Sequence, residues 1–383
     1  MRYFFIPGRF KNLSYYELSA VCETFLAKGS YSIVWQDGYF FLDTQKDVSE
    51  IFLRLGGFLK YGVLLEDDLQ IKDLVPSNSS KLIFGISNYS SKYSDKDIKE
   101  LLQNFKKELK AREYNVRFIL PRGKEKDLSA GQIVKNKVLE KGFELAVFNE
   151  GIGQTLQVQD IEEFSKRDYE KPFVDTYMGV IPPKLARIMN NLAKVPRGGT
   201  IWDPFCGSGN ILLEALDLGY NVIGTDVDWE ALEGAQKNLS WLKGKTESQG
   251  GNIKKISFFD VINPTKSKRG EIKNLHIDGI VCEPYMGKPQ KKLLTKQKAE
   301  SLIKKHFDLV NALFKNLTFL SISNKSRVVV IFPEYKTHEG WKSIDKDSLV
   351  FPNAKLVDLG DLHWERKDSI IRRLIYVFEF NPR

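Results

Sequence analysis

Thr200-Ile-Trp-Asp-Pro-Phe-Cys-Gly-Ser-Gly209 is the stretch that decides the fold. A strand runs into an acid, a proline and a glycine-rich turn, and a helix opens behind it. In a doubly wound sheet this marks the topological switch point, where ligands bind at strand carboxyl ends. Gly207 and Gly209 let the backbone approach a ligand closely, and Asp203 can accept a hydrogen bond from a cationic or amine group. Three ligands compete with a plain strand-to-helix turn. A nucleoside-triphosphate loop requires Lys-Ser/Thr after its second glycine, whereas Asn210-Ile211 follows here. A dinucleotide fingerprint requires a third glycine three residues beyond Gly209, where this chain has Leu212. S-adenosylmethionine remains, and its sulfonium and amino groups suit an acidic loop better than a pyrophosphate does.

Working outward, strands and helices alternate from about residue 180. Helices are expected over 183–194, 209–218, 229–243 and 297–320, with strands at 200–204, 221–226, 255–260, 277–282, 327–332 and 370–379. That alternation predicts a mostly parallel α/β sheet. The strand after the glycine turn ends in Gly224-Thr-Asp-Val-Asp228, with Asp226 17 residues beyond Gly209. A carboxylate there is placed to take both ribose hydroxyls of a nucleoside ligand, while Asp228 before Trp229 fits a helix cap. Phe259-Asp260 closes the third strand; its acid either accepts an adenine amino group or caps a turn.

The fourth strand ends in Asp278-Gly-Ile-Val-Cys-Glu-Pro-Tyr-Met-Gly287. An acid followed by proline beside the glycine loop points to methyl transfer onto an exocyclic base nitrogen. Such an amine is a poor nucleophile because its lone pair is delocalised into the ring. If Glu283 and a nearby main-chain carbonyl accept its two N–H bonds, the lone pair turns toward the methyl group. A neighbouring aromatic would stack on the swung-out base. Positioning carries most of such a reaction. The alternative is a buried Glu-Pro turn.

The N-terminal part reads differently. Tyr3–Ile6 is a strand, and a helix over 14–28 opens with Ser14 and Glu17 at capping-box spacing. Tyr31–Trp35 and Tyr39–Leu42 flank an Asp37-Gly38 turn as a hairpin, before a helix over 48–56 and a strand over 61–65. This βαββαβ order is ferredoxin-like. Val75–Ser80 reads as a linker. A second unit follows with strands at 81–87, 116–121, 144–148 and 155–159, an amphipathic basic helix over 95–113, and a helix over 130–141 capped by Ser129. The polar stretch Glu162–Pro172 is a connector. The expected division is 1–75, 76–160, a linker at 161–178, and 179–383.

Composition narrows the class. A length of 383 residues suggests two or three domains, and 42% hydrophobic with 28% charged residues is that of a globular chain. Lys and Arg number 58 against 49 Asp and Glu, a net charge of +9, which permits a nucleic-acid partner without demonstrating one. The charge falls as −2 over 1–75, +4 over 76–160 and +7 over 161–383. Three cysteines make no disulfide framework, and four scattered histidines with no CxxC or HxxxH spacing suggest no metal site. The start, MRYFFIPGRF, lacks a signal-peptide apolar region, and apolar runs such as Val328–Phe332 are strand-sized. The chain is therefore expected to be soluble and cytoplasmic, with no membrane contact.

At this point the residues resemble a family. The Asp-Pro-Phe-Cys-Gly-Ser-Gly loop and the acid-Pro motif are similar to class I RNA methyltransferases with an N-terminal THUMP domain. The likeness is strongest to the archaeal and eukaryotic tRNA guanine-N2 methyltransferases that act on guanosine at tRNA position 10. The opening YFFIPGR, Ser129-Ala-Gly-Gln-Ile-Val-Lys-Asn-Lys137, Val158–Glu162 with Ser165–Asp168, and Met178-Gly-Val-Ile-Pro-Pro-Lys-Leu-Ala186 extend it over nearly the whole chain. The resemblance implies an α/β fold: a Rossmann-like class I methyltransferase domain preceded by ferredoxin-like and THUMP α+β domains.

It also implies roles. Asp203, Pro204, Gly207 and Gly209 would line the methionine moiety of S-adenosylmethionine, Asp226 the ribose and Asp260 the adenine, with Phe205, Val227 and Val261 beside them. The 178–186 segment would help cover the cofactor. Glu283 and Pro284 would hold the target amine, with either Tyr285 stacking on the base from a shifted position or Met286 packing against it. This motif departs from the family's usual Asp-Pro-Pro-Tyr-Gly: the acid is one methylene longer, Tyr285 replaces the second proline, and Met286 fills the aromatic slot. Lys106, Lys110, Arg117, Arg122 and Lys135 would meet tRNA phosphates from the second unit, and Lys288 from the run Lys288–Lys298 after the acid-Pro motif. Arg372-Arg373 also matches the family, or is structural. The expected partner is tRNA and the expected state a monomer, with an activating subunit left open. Adenine N6, a ribosomal-RNA guanine, or RNA binding without turnover are the competing readings.

Overall fold

Short aromatic runs set the first sheet. β1 (Arg2–Pro7) is buried except at its first residue, and β3 (Tyr39–Thr44) is buried except at Asp43. They pair antiparallel with Phe4 opposite Phe41. With β2 (Tyr31–Gln36), β4 (Phe58–Leu64), β5 (Lys81–Asn88), β6 (Asn115–Ile119), β7 (Gly142–Val147) and β8 (Ile152–Val158), they form one eight-stranded sheet ordered β2-β3-β1-β4-β8-β7-β5-β6. Strands from both expected N-terminal segments thus share a sheet, joined where β4 pairs antiparallel with β8. The structure is a computed structural model describing residues 1–66, 74–76, 81–174, 180–245, 251–263, 272–288, 290 and 292–382. Most of the expected 75–80 linker, and Met178 and Gly179 of the cofactor-covering segment, lie outside these residues.

This sheet belongs to a unit made of Met1–Lys11, Leu26–Leu53 and Phe58–Glu162. Between β1 and β2 runs α1 (Lys11–Phe25), nearly all of which belongs to the second unit. α2 (Ser49–Arg54) precedes β4. α3 (Asp95–Ala111) starts at a full capping box, with Ser94 N–H donating to Asp97 and Asp97 N–H to the Ser94 hydroxyl. It lays Ile98, Leu102 and Leu109 against Phe84 and Phe143 of the sheet. The expected 130–141 helix is two short ones, α4 (Ala130–Lys135), capped by Ser129, and α5 (Val138–Lys141). Lys137 between them sits at φ +55°, a left-handed conformation that interrupts a continuous helix. Inside the sheet a closed ion pair ties four strands: Glu144 takes Lys60 at 2.6 Å and Thr155 at 2.5 Å, and also the Ser87 hydroxyl. Every polar group there has a partner, which is the condition for a buried charge.

The second unit comprises Asn12–Phe25, Arg54–Gly57 and Glu163–Arg383. The Ser14/Glu17 spacing, expected as a capping box, is not one. Both lie inside α1, where Glu17 accepts N–H bonds from Gly56 and Gly57 at 2.7 and 2.8 Å and Ser14 donates to the Gly57 carbonyl. A cap needs both residues at the helix start, and this helix begins three residues earlier. The expected linker also carries structure. α6 (Ile161–Tyr169) places Arg167 beside Glu214 at 2.6 Å. α7 (Pro183–Leu192) follows, with Pro at its first turn, where the missing N–H costs nothing.

The second sheet is built from β9 (Thr200–Asp203), β10 (Asn221–Asp226), β11 (Ile253–Phe258), β12 (Ile277–Cys282), β13 (Ile322–Thr337), β15 (Ala354–Leu356) and β17 (Ile371–Phe380). Two short strands, β14 (Gly340–Lys342) and β16 (His363–Trp364), pair with β13 and β17. The order is β11-β10-β9-β12-β13-β17-β15, parallel through β13 and antiparallel at β17. This mixed, mostly parallel sheet is Rossmann-like in its order and resembles the core expected from the sequence. α8 (Asn210–Asp217), α9 (Trp229–Lys245) and α10 (Lys296–Leu317) connect the strands. The core gathers Trp202, Ile223, Ile280, Val328, Val330 and Phe378 with Leu313 and Phe314 of α10. Chain order reverses between β9 and β12, so their carboxyl ends lie side by side. Among the described residues, no helix is long and apolar enough to cross a membrane.

Candidate active site

The glycine turn is locked to the end of β10. The Cys206 N–H donates to the Thr225 carbonyl at 3.0 Å, and the Gly207 N–H to one Asp226 carboxylate oxygen at 2.8 Å. The other Asp226 oxygen takes the N–H groups of Val227 and Asp228 at 2.7 and 3.1 Å. Gly207 has φ +49° and open space where a Cβ would project. Gly209 has φ +85°, and a Cβ there would sit 3.1 Å from the Ala235 Cβ. One glycine keeps a surface open and the other allows α8 and α9 to close up.

Asp203 ends β9, is 1% exposed, and accepts the Phe205 N–H at 3.0 Å. Burial pushes its pKa well above the carboxylate range, against the Phe205 hydrogen bond, and the nearby charges of Asp226 and Glu283 push it further. Burial likewise raises Asp226, against three backbone N–H bonds. Asp203 and Asp226 at a glycine turn favour a cation and disfavour a pyrophosphate. A sulfonium with a free amino group fits this donor set, and the open side of Gly207 gives the ligand backbone a surface.

The other expected cofactor residues divide. Pro204 is buried and Phe205 half-buried against the core. Val227 is exposed at the strand end, beside Asp226. Asp260 caps its own turn, accepting N–H bonds from Ile262 and Asn263 at 2.8 and 3.2 Å. The Val261 side chain lies in the core and its carbonyl accepts Asn316 at 2.7 Å. Asp228 caps α9 through Glu230 N–H at 2.9 Å. From the described part of the 178–186 segment, the Ile181 carbonyl accepts the side-chain amide of Asn210, the first residue of α8.

Glu283 follows β12, and its carboxylate is bound by Arg373 of β17, Nε to Oε1, at 2.5 Å. Pro284 is buried, whereas Tyr285 stands 53% exposed. The loop is braced from outside. The Tyr335 hydroxyl donates to the Met286 carbonyl, and Gly287 turns the chain at φ +90°. His306 of α10 faces the carbonyl oxygens of Ile331 at 2.9 Å and Tyr285 at 3.3 Å. Burial lowers the His306 pKa to about 4, so at neutral pH its ring carries one N–H and donates to one of the two. His306 and Tyr335 have no local motif of their own; α10 and the sheet bring them to this loop, together with Arg373 of the Arg372-Arg373 pair already marked in the sequence.

A second brace runs behind the glycine turn. Arg167 and Arg187 hold the two oxygens of buried Glu214 on α8 at 2.6 and 2.8 Å. Lys171 donates to Asn210 at 2.6 Å, and Asn238 of α9 binds both the Phe173 main chain and the Ser208 carbonyl. The connector is thus strapped onto the turn. Among the basic residues, Lys106 lies 5.3 Å from the Phe118 ring and Arg117 donates to Asn136 at 3.3 Å. Lys110, Arg122, Lys135 and Lys288 are exposed. Pro289 and Lys291 of the 288–298 run lie outside the described residues.

Two family models match this chain. The methyltransferase domain of the RMKL-like family UPF0020 matches residues 173–339, and the DNA methylase family N6_N4_Mtase matches 37–237, more than half of the chain. The chain belongs to the N6/N4 methylase family. The two matches share 173–237, the stretch from the connector through the glycine turn into α9. Among curated proteins, the tRNA (guanine(10)-N2)-dimethyltransferase of Methanothermobacter thermautotrophicus is 47% identical over 85 residues, 22% of this chain and 25% of that one. The enzyme of the same name from Methanocaldococcus jannaschii is 42% identical over 90 residues, 23% and 25% of the two chains. Human tRNA (guanine(10)-N(2))-methyltransferase TRMT11 is 31% identical over 111 residues, 27% and 24%. The chain thus spans about a quarter of the length of these relatives. Among solved structures, TrmN from Thermus thermophilus aligns over 99% of this chain and 100% of that one, at 17% identity and a TM-score of 0.49.

Proposed function

We propose that this methylase transfers a methyl group from S-adenosylmethionine to the exocyclic N2 of guanosine-10 in tRNA. The observation that carries the reading is a pinned acid, Glu283, with an exposed aromatic two residues on, on the strand end adjoining the acidic glycine turn. When bound, S-adenosylmethionine supplies a methyl carbon made electrophilic by its sulfonium. Glu283 and a carbonyl of its loop accept the two N–H bonds of the target amine, turning its lone pair toward that carbon. Tyr285 offers its face to the extruded base. As the N–C bond forms and the C–S bond breaks, the amine sheds one proton, and Glu283 is the adjoining acceptor.

We assign the first unit to gripping the tRNA body, in the manner of a THUMP region preceded by a ferredoxin-like segment. Lys106, Lys110, Arg117, Arg122 and Lys135 would supply phosphate contacts that position without reading sequence. The curated relatives, named for guanosine-10 of tRNA, favour this target over the DNA bases that the matched family's name suggests. The test incubates the protein with labelled S-adenosylmethionine and unmodified tRNA, then digests to nucleosides. N2-methylguanosine that vanishes in Glu283→Ala supports the reading. Label in N6-methyladenosine, or none, contradicts it.

A further inference from the structure

We propose that Arg373 is a positioning residue for the methyl-transfer step: it holds one oxygen of Glu283 and leaves the other as the acceptor for the target amine. The proposal rests on the function proposed above. Arg373 lies 90 positions from Glu283 in sequence, in the antiparallel strand β17, opposite Pro333 of β13. β13 pairs with β12, whose end carries the acid. The two side chains are 10% and 11% exposed, so each charge has left water together with the other. The contact runs through Nε alone, and the guanidinium lies 5.4 Å from the Trp364 ring of β16, which limits its rotation.

The chemistry explains why such a clamp belongs here. Glutamate has one more rotatable bond than aspartate, so an unheld carboxylate would sweep over several positions. A reaction that depends on turning a lone pair toward a methyl carbon requires the acceptor oxygen in one place. With Oε1 committed to Arg373, Oε2 is the oxygen left to face the amine. The rest of the loop has its own brace, the Tyr335 hydroxyl at the Met286 carbonyl. Loss of Arg373 therefore frees the acid without freeing the loop. Arg372, the next residue, points to the opposite face of the sheet, as alternation along a strand requires. There it binds Glu334 and Glu365 at 2.8 and 2.6 Å and lies 4.4 Å from the Trp341 ring. It offers a control of like chemistry with no contact to the acid.

The experiment measures steady-state methylation of unmodified tRNA by wild type, Arg373→Met, Arg373→Lys, Arg372→Met, Glu283→Gln and the Arg373→Met/Glu283→Gln double variant, with S-adenosylhomocysteine affinity and thermal midpoint for each. Arg373→Met should lower kcat by roughly 100-fold, the scale of a misplaced reacting group, while KM for tRNA and S-adenosylhomocysteine affinity stay within about threefold of wild type. Arg373→Lys should recover part of the loss. Arg372→Met should lose thermal stability and keep kcat. The double variant should be no slower than Glu283→Gln alone, because Arg373 acts only through that acid. Unchanged kcat in Arg373→Met, a loss confined to KM, or multiplicative losses in the double variant overturn the positioning role. Wild-type protein that methylates no tRNA overturns the proposed function and this role with it.

Discussion

Gly207 and Gly209 are two residues apart, and replacing each by alanine should break different things. Both have positive φ, +49° and +85°, so each alanine carries the cost of a left-handed L-residue, about 1–2 kcal/mol. At Gly209 the new methyl meets Ala235, its Cβ at 3.1 Å and its Cα at 3.3 Å. Ala235 is part of helix α9 and has no side-chain torsion to move it away, so overpacking adds about 1–3 kcal/mol. Gly209→Ala should therefore cost about 2–5 kcal/mol in stability, while Gly207→Ala costs only the backbone part. The Gly207 methyl, however, projects into open space on the side assigned to the cofactor. A methyl forced into an occupied site costs about 1–3 kcal/mol, a 10- to 200-fold loss of affinity. Calorimetric titration with S-adenosylhomocysteine and thermal unfolding of the three proteins separate the effects. At roughly 2–4 °C per kcal/mol, Gly209→Ala should lower the midpoint by about 4–20 °C. Full affinity in Gly207→Ala would show that the open side of the turn is not the cofactor side. An unshifted midpoint in Gly209→Ala would refute the packing argument.

Three further outcomes are expected. Asp203 and Asp226 are both raised by burial, and a cationic ligand favours their ionised forms, so S-adenosylhomocysteine, through its free amino group, should bind more weakly as pH falls and these carboxyls take up protons. Titration in two buffers of different ionisation enthalpy should show proton release on binding, and proton uptake would contradict the assignment. Burial raises Glu17 from 4.5 to about 7, against N–H bonds from Gly56, Asn191 and Gly57. A carboxyl raised in the folded state opposes folding as pH rises from 4.5 toward 7, by roughly 3 kcal/mol at most. Unfolding curves across that window should show wild type losing stability relative to Glu17→Gln as pH rises, and parallel curves would refute it. Finally, Lys106→Ala, Lys110→Ala and Arg122→Ala should each flatten the log–log salt dependence of tRNA binding by about one unit. Unchanged slopes would mean these residues form an ordinary solvated face.

Much of the site is legible in the sequence because strand ends in an α/β sheet converge. The Asp203 turn, Asp226 and Glu283 each close a parallel strand, and knowing that the strands are parallel puts the three acids together. What the residues do with each other is not local. Arg373 reaches Glu283 through β13 and β17, and Tyr335 reaches Met286 through a 16-residue strand whose ends extend well past the apolar run at 327–332. Ser14 and Glu17 show the opposite failure. Their spacing satisfies a local rule, yet tertiary partners at 56–57 claim both side chains. The connector reads as polar and solvent-facing because it is rich in charge, but Arg167 spends its charge on buried Glu214. Asp260 accepts the N–H groups of Ile262 and Asn263, a turn contact that a strand-end acid in sequence does not announce.

The central claim is methyl transfer to the N2 amine of guanosine-10, and a single-atom-group change in the substrate tests it most directly. One tRNA transcript carries guanosine at position 10; a second carries inosine there, which lacks only the exocyclic amine. With labelled S-adenosylmethionine and mass spectrometry of the digested RNA, the account predicts methyl at position 10 of the first transcript and none in the second. Equal labelling of both transcripts, or label at another position of the first, would contradict it.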